Sequence, residues 1–235
     1  HLHYDHCVDY SYLVLTRWDQ GVGKIPDLQV CGPSPLARIT EQLFGAAGIY
    51  GPDLAARTQH PGSHFIYEMR GGQLPRQRPV PAVTEVGEGS VVEGKGWRLE
   101  TAEVVHCQPQ LNCLAYRLTT EECTVVFGGD TAPTPRLTEL ARGADVLLHM
   151  CHFDNRAITD HRMTDCCSGH LDAARTARDA AVGTLVLVHI TEQLESPGVR
   201  ERVIGEVGQI FDGHVVFGAD LLEVPLGPIT TGVIR

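Results

Sequence analysis

Apolar residues in the first part of the chain recur at three- to four-residue intervals. "CVDYSYLVLTRW", ending at Trp18, carries them on a helical period, which predicts a loop entering a helix for the opening block. "DLQVCGP" predicts a short strand closed by Gly-Pro. "SPLARITEQLFGAAG" predicts a helix with Ser34 as its cap, Pro35 at the first helical position and glycine just past its end. Residues 50–90 are the least regular, and "RGGQLPRQRPVPAV" reads as an extended loop or lid.

From residue 96 the period shortens. "WRLETAEVVH", "NCLAYRLTT" and "CTVVFGGD" predict strands, and helices and strands then alternate. "TPRLTELARGA", "GHLDAARTARDAA" and "VRERVIGEVGQIF" are the predicted helices. "DVLLHM", "TLVLVHI" and "HVVFGADLLEV" are the predicted strands. Antiparallel strands followed by alternation suggest layered sheets covered by helices, an α/β (α+β) class, in one domain over 1–235 with no linker.

Several apolar runs end in a metal-seeking group: His106 after "AEVV", Asp130 after "TVVFGG", His149 after "DVLL" and His189 after "TLVLV". A lone strand-end histidine is ordinarily a hydrogen-bonded structural residue. Four such endings, together with an opening "HLHYDH", form a pattern. His1, His3, Asp5 and His6 offer imidazole nitrogen and carboxylate oxygen, donors suited to zinc. In an extended turn His1 and His3 point one way, while Asp5 and His6 face a second position.

The "HLHYDH" run, the isolated His106, the "GGDT" at 128–131 and the late "LVHIT" resemble the ligand motifs of the metallo-β-lactamase fold, in order and in spacing. "GADVLLHMCHF" and "SGHLDAARTARDAAVGTLVLVHIT" are similar to the branch holding tRNase Z and arylsulfatase-like hydrolases. The resemblance covers essentially the whole chain and implies an αββα sandwich. It assigns His1, His3 and His106 to one metal, Asp5, His6 and His189 to a second, and Asp130 to both. It implies Zn²⁺, one or two ions per active site, and commonly a homodimer, here through helices in 35–60. In that fold strands precede the H-x-H-x-D-H run, so the resemblance also implies an N-terminal segment missing from this chain.

Composition narrows the partners. No apolar run approaches the ~18 residues of a membrane span. A formal charge of −10 argues against a nucleic-acid partner, and a cytoplasmic location is expected. Eight cysteines include no C-x-x-C pair, and buried free thiols are their ordinary reading, the vicinal Cys166–Cys167 staying ambiguous.

Zinc lowers the pKa of water that it binds to about 7, so the expected chemistry is hydrolysis, with Asp5 orienting or deprotonating the water. The branch's nucleases carry Glu after the strand-end histidine, where this chain has Met150; "GHLDAA" keeps His170 but loses the neighbouring hydroxyls. Loss of an acid suits a leaving group that departs as a stable anion. Through "HLHYDHCVDYSYL" and "VLLHMCHFDN" the chain resembles hydrolytic dehalogenases of the chlorothalonil type, and the resemblance implies replacement of chlorine on a small aromatic nitrile by hydroxyl. Trp18, Asn112, Met150, His152 and Phe153 are its expected substrate contacts, and Asp5 and His170 its catalytic residues. His170 has a second reading, orienting a ligand. A phosphodiesterase of RNA 3′-processing type and a non-catalytic metal-binding module stand as alternatives. "HPGSH", with His60 and His64, is read as a surface loop before a peripheral metal site.

Overall fold

The computed structural model describes residues 1–158 and 160–226. They fall into two compact units, His1–Val86 and the described residues from Gly87 onward.

The first unit opens with helix α1 (Tyr4–Gly21). Tyr10, Val14 and Trp18 are spaced four apart, so they share one face, which packs with Phe44 and Leu54. Strand β1 (Gln29–Gly32) follows, then helices α2 (Leu36–Phe44), α3 (Gly51–Gln59) and α4 (Pro61–Met69) and strand β2 (Ala82–Glu85). β1 and β2 pair in parallel.

Two sequence expectations change here. Helix α2 starts at Leu36, with Pro35 in the capping position and no side-chain cap, so Ser34 is not its N-cap. The irregular stretch after residue 50 contains two helices, each with proline in its first turn, and His60 caps the second by accepting the Gly62 amide on Nδ1 at 3.1 Å. His64 Nε2 donates to the Thr58 carbonyl at 2.8 Å, so both histidines of "HPGSH" are used in shaping a helix start.

Asp19 is the ionic hub of this unit. It meets Arg76 at 2.7 Å, Arg70 at 3.0 Å and Arg57 at 3.2 Å. Burial pushes its carboxyl up, but Arg76 and Arg70 outweigh burial and hold it below the usual carboxylate range. The Arg76 guanidinium also lies over Trp18 and Tyr67, 4.0 and 4.7 Å from their ring centres.

The second unit is built on a seven-stranded sheet of β3 (Val91–Gly94), β4 (Trp97–Glu103), β5 (Leu114–Thr120), β6 (Thr124–Phe127), β7 (Val146–Met150), β8 (Thr184–Val188) and β9 (His214–Phe217). Spatial order equals chain order: β3 to β6 are antiparallel, and β6 to β9 parallel. Helix α5 (Pro135–Ala141) links β6 to β7, α6 (His161–Thr164) and α7 (His170–Asp179) link β7 to β8, and α8 (Glu192–Glu195) and α9 (Val199–Val207) link β8 to β9. This is the predicted antiparallel-then-alternating order. β3, α6 and α8, of four residues each, are elements that the sequence pattern does not predict.

Fully buried Ala173, Ala174 and Ala177 let α7 join the unit's main core closely with Leu185 and Leu187 of β8. Both α7 and α9 are capped by an acid from their first turn: Asp172 accepts the Gly169 amide at 3.0 Å and Glu201 the Gly198 amide at 2.7 Å.

His149 lies inside β7, fully buried, and is not an exposed strand-end group. Its Nδ1 donates to the Met150 carbonyl at 2.8 Å, and Nε2 has no hydrogen-bond partner. Burial lowers its pKa, so the ring folds neutral. On acidification the unfolded chain takes up this proton near pH 6.5 while the folded chain resists it, so stability is lost as pH falls below that value. The loss is at most about 1.4 kcal/mol per pH unit. The urea midpoint should therefore drop from pH 7 to pH 5, and His149→Leu should flatten that drop. An equal drop in the variant would assign the acid sensitivity elsewhere.

Candidate metal centre

Strand polarity decides where the donors go. β4 and β6 both run antiparallel to β5, and β7 and β8 run parallel to β6, so four strands point their C-terminal ends at one sheet edge. His106, Asp130, His152 and His189 each follow one of those ends within three residues. Such an edge is where open α/β sheets gather ligands.

The three expected ligands of this unit converge there. Asp130 Oδ2 lies 3.8 Å from His106 Nε2 and 3.2 Å from His189 Nε2. Each imidazole is held by its other nitrogen. His106 Nδ1 donates to the Cys166 carbonyl at 2.7 Å, and His189 Nδ1 pairs with His152 Nδ1 at 3.1 Å. A donor on Nδ1 leaves a lone pair on Nε2, the arrangement that metal-ligating histidines adopt. Burial first, and the His189 ring second, hold the His152 pKa below its ordinary value.

The backbone is shaped for this convergence. His189 has φ +56°, a left-handed conformation that non-glycine residues rarely adopt and that clusters at functional sites. Gly129, at φ +62°, turns the chain so that Asp130 reaches the edge, and a Cβ there would press on the Leu114 carbonyl at 3.1 Å. Thr131 Oγ1 accepts the Val105 amide at 3.2 Å, and the Ala132 amide donates to the Val105 carbonyl at 2.7 Å, pinning the aspartate loop to the His106 loop. Ser168 Oγ donates to the Thr131 carbonyl at 2.6 Å. Residues 166–168 thus brace both loops.

In the first unit the opening donors also sit together. His1 Nε2 lies 2.9 Å from His3 Nδ1, and His6 Nε2 lies 3.6 Å from Asp5 Oδ2. The His1 ring is 4.6 Å from that of His3 and 4.2 Å from that of His6. His1 and His3 precede α1, whereas Asp5 and His6 occupy its first turn, so the bend expected from sequence is a helix start. Mixed imidazole and carboxylate donors with the spare nitrogens of His106 and His189 occupied fit a divalent ion. The vicinal thiols lie 3.7 Å apart, and burial and Cys166 push the Cys167 thiol up to about 12.

The remaining expected residues are placed otherwise. His170 is fully buried at the start of α7, where Nε2 donates to Glu206 Oε2 at 2.8 Å and Nδ1 accepts the Asn155 amide at 3.4 Å. Arg156 and Arg202 pair with the same Glu206, at 3.0 and 3.1 Å, and its carboxyl, which burial alone would raise, is held low by His170 and Arg202. Met150 and Phe153, expected as walls for a flat substrate, are 1% and 4% exposed and pack with Cys167 in a small core of their own. Trp18 sits twelve residues beyond His6 on α1, about 18 Å along the axis at 1.5 Å per residue, and lines a cavity at that end of the helix whose walls do not include His6. Its Nε1 donates to the Gln77 carbonyl at 2.8 Å. Asn112 is exposed in the loop before β5, and His161 and His214 are exposed. The bracing groups Cys166, Ser168 and Thr131 escaped sequence reading because two of them act through backbone carbonyls. Glu206 is a mid-helix acid in α9 that only its burial distinguishes.

Comparison with known proteins shows the family. A family profile described as the β-lactamase superfamily domain matches residues 1–190. The chain belongs to that superfamily. It has the mixed α/β metallo-β-lactamase fold and is a hydrolase of that fold. Ribonuclease Z from Mycobacterium bovis (strain BCG / Pasteur 1173P2) is 29% identical over 234 residues, covering 97% of this chain and 78% of the relative. Ribonuclease Z from Mycobacterium marinum is 29% identical, covering 95% and 77%. The metallo-β-lactamase fold protein YhfI from Bacillus subtilis superposes with a TM-score of 0.63 at 19% identity, covering 93% of this chain and 72% of that one. Human tRNase Z, short form, gives 0.62 at 14% identity, covering 97% and 77%. At these identities the two structures speak for the fold alone.

These relatives overturn the dehalogenase expectation and its chlorinated aromatic substrate: the curated chains that match along nearly the whole length are named ribonuclease Z. The expectation rested on Met150 as a lost acid, yet that position faces a packed core. It rested also on net charge, which is unevenly spread. The segment through Val86 holds seven Lys and Arg against eight Asp and Glu, so nearly all of the −10 belongs to the second unit.

Removing the ring that steadies His189 tests the bracing. His152→Ala should lower metal affinity by about 10- to 100-fold with the far-ultraviolet spectrum unchanged. Unchanged metal content after dialysis against a graded chelator would show that His189 needs no such support.

Proposed function

We propose that this protein is a metal-dependent phosphodiesterase acting on RNA, with the 3′-processing chemistry named in its curated relatives. The observation that carries the reading is the near full-length match to chains named ribonuclease Z. Support comes from the donor sets gathered within each unit, both inside the matched residues 1–190. The proposed assignment gives His1, His3 and His106 to one ion, Asp5, His6 and His189 to a second, and Asp130 to both. Zinc suits these donors, and when bound it supplies Lewis acidity toward the phosphodiester and toward water.

The side chains divide the remaining work. Asp5 orients the attacking water and accepts its proton, a role open to a carboxylate at a helix start with 46% of its side chain exposed. The Cys166 carbonyl and His152 fix the imidazoles of His106 and His189. His170 is a positioning residue: with Glu206 and Asn155 it ties α7, α9 and the loop after β7 together, and that loop carries His152. Among the described residues no helix is long and apolar enough to cross a membrane.

The test is cleavage of a precursor tRNA bearing a 3′ trailer, with metal measured by elemental analysis. Cleavage should stop on chelation and return with zinc. Asp130→Ala should lose metal and cleavage together; a variant with full metal and full rate would refute the shared-carboxylate assignment. Fully metallated protein that leaves the precursor intact would refute the RNA reading.

His170→Ala should keep its metal while unfolding at lower urea. The expected cost is about 1–3 kcal/mol, that of leaving a buried acceptor with fewer partners. Loss of metal at unchanged stability would make His170 a ligand.

A further inference from the structure

A cavity of about 620 Å³ opens wholly within the first unit, beside the C-terminal end of α1. Three of its lining side chains are cationic, Arg17, Lys24 and Arg78, against one acid, Asp27. Asp27 Oδ1 is occupied in accepting the Val80 amide at 3.3 Å. The cations are not consumed in the same way. Arg17 makes one hydrogen bond, to the Pro26 carbonyl at 3.2 Å, and its Nε is buried without a partner. No ion pair or hydrogen bond engages the Lys24 ammonium among the described residues, and Nζ lies 3.0 Å from where a Cβ of Gly71 would stand. Gly71, at φ +85°, provides both the turn and the space for that ammonium. Arg78 donates to the Phe44 and Gly45 carbonyls through a single terminal nitrogen. The lining also includes the flat rings of Trp18 and Tyr67 and four prolines.

We infer that this cavity is a binding site for a nucleoside phosphate unit, separate from the metal donors of α1. The phosphate is held by Arg17, Lys24 and Arg78, and the ring lies along the apolar wall. The volume falls in the range of small-ligand pockets, about 300–1,000 Å³. A site lined by cations that make no ion pair among the described residues and by apolar walls selects an anionic head on a planar body. Naming that body as a nucleoside rests on the RNA-processing reading above. The same chemistry arrives either as one unit of an RNA strand or as a free mononucleotide. Arg17 lies eleven residues past His6, about 16 Å along α1, so a strand filling the cavity would present a unit several nucleotides away to His6.

Isothermal titration of the intact metal-loaded protein with AMP, with a non-cleavable 2′-O-methyl RNA octamer and with inorganic phosphate tests this. Lys24→Glu changes an exposed side chain, and Arg17→Gln provides a second variant; circular dichroism confirms that each is folded. Saturable binding of AMP, of the octamer or of both, weakened at least tenfold by both substitutions and by added salt, supports the site. Binding of the octamer alone names the strand as the source, and binding of AMP alone names the free nucleotide. Affinities within twofold of the unsubstituted protein in both folded variants would overturn the site, as would no binding of either nucleotide ligand, or phosphate binding as tightly as AMP. Cleavage of precursor tRNA is assayed in parallel on the unsubstituted protein. Nucleotide binding without cleavage would count against the proposed function and leave the cavity assignment standing; cleavage with no effect of either substitution on binding would do the reverse.

Discussion

The direction in which strands run is the constraint on which the second unit's chemistry depends. Backbone pairing fixes β4, β6, β7 and β8 to a common polarity, and each therefore releases its chain at the same border of the sheet. Side chains distant in sequence, at 106, 130, 152 and 189, become neighbours with no further device than short exits from those strands. Packing alone does not aim them. The Cys166 carbonyl, the His152 ring and the turn at Gly129 set the angles, and the left-handed backbone at His189 completes the aim. Such a conformation, unfavourable by roughly 1–2 kcal/mol for an L-residue, survives where the surroundings determine it.

Much of this was legible in the residues. The long apolar runs around Val126, Leu147 and Leu185 announced strands, and the polar groups ending several of them announced a shared edge. Histidine at a strand end is ambiguous by type, however. His149 and His189 end similar runs, yet one side chain is sealed in the interior and the other reaches Asp130. His149 lies one residue inside the end of β7 and pairs with Leu187, whereas His189 lies one residue beyond the end of β8, a two-residue offset that reading composition along a line does not resolve. Met150 misled for the same reason: a residue type was interpreted before its face was known. The bracing carbonyls were out of reach altogether, because every residue has one.

Charge gave a second lesson. A total of −10 describes solubility and long-range repulsion, not the character of a particular surface. In the first unit arginines gather around Asp19, and others line a neighbouring cavity, while the acids accumulate elsewhere. The Pro- and Arg-rich stretch near residue 76, irregular by pattern, is anchored because Arg76 is clasped between two aromatic rings and a carboxylate. Its lack of period reflects fixation by specific contacts in place of repeating ones.

The sheet of the second unit places every strand beside its chain neighbour. No pairing waits for a remote segment to return, so each step closes only the connection just synthesised, and the entropy of closure stays small. Growth can thus proceed outward from any hairpin of the antiparallel half, adding the helix-linked strands one by one. The parallel half forms more slowly than the antiparallel half, because crossovers of 18 to 33 residues must close before β7, β8 and β9 can pair.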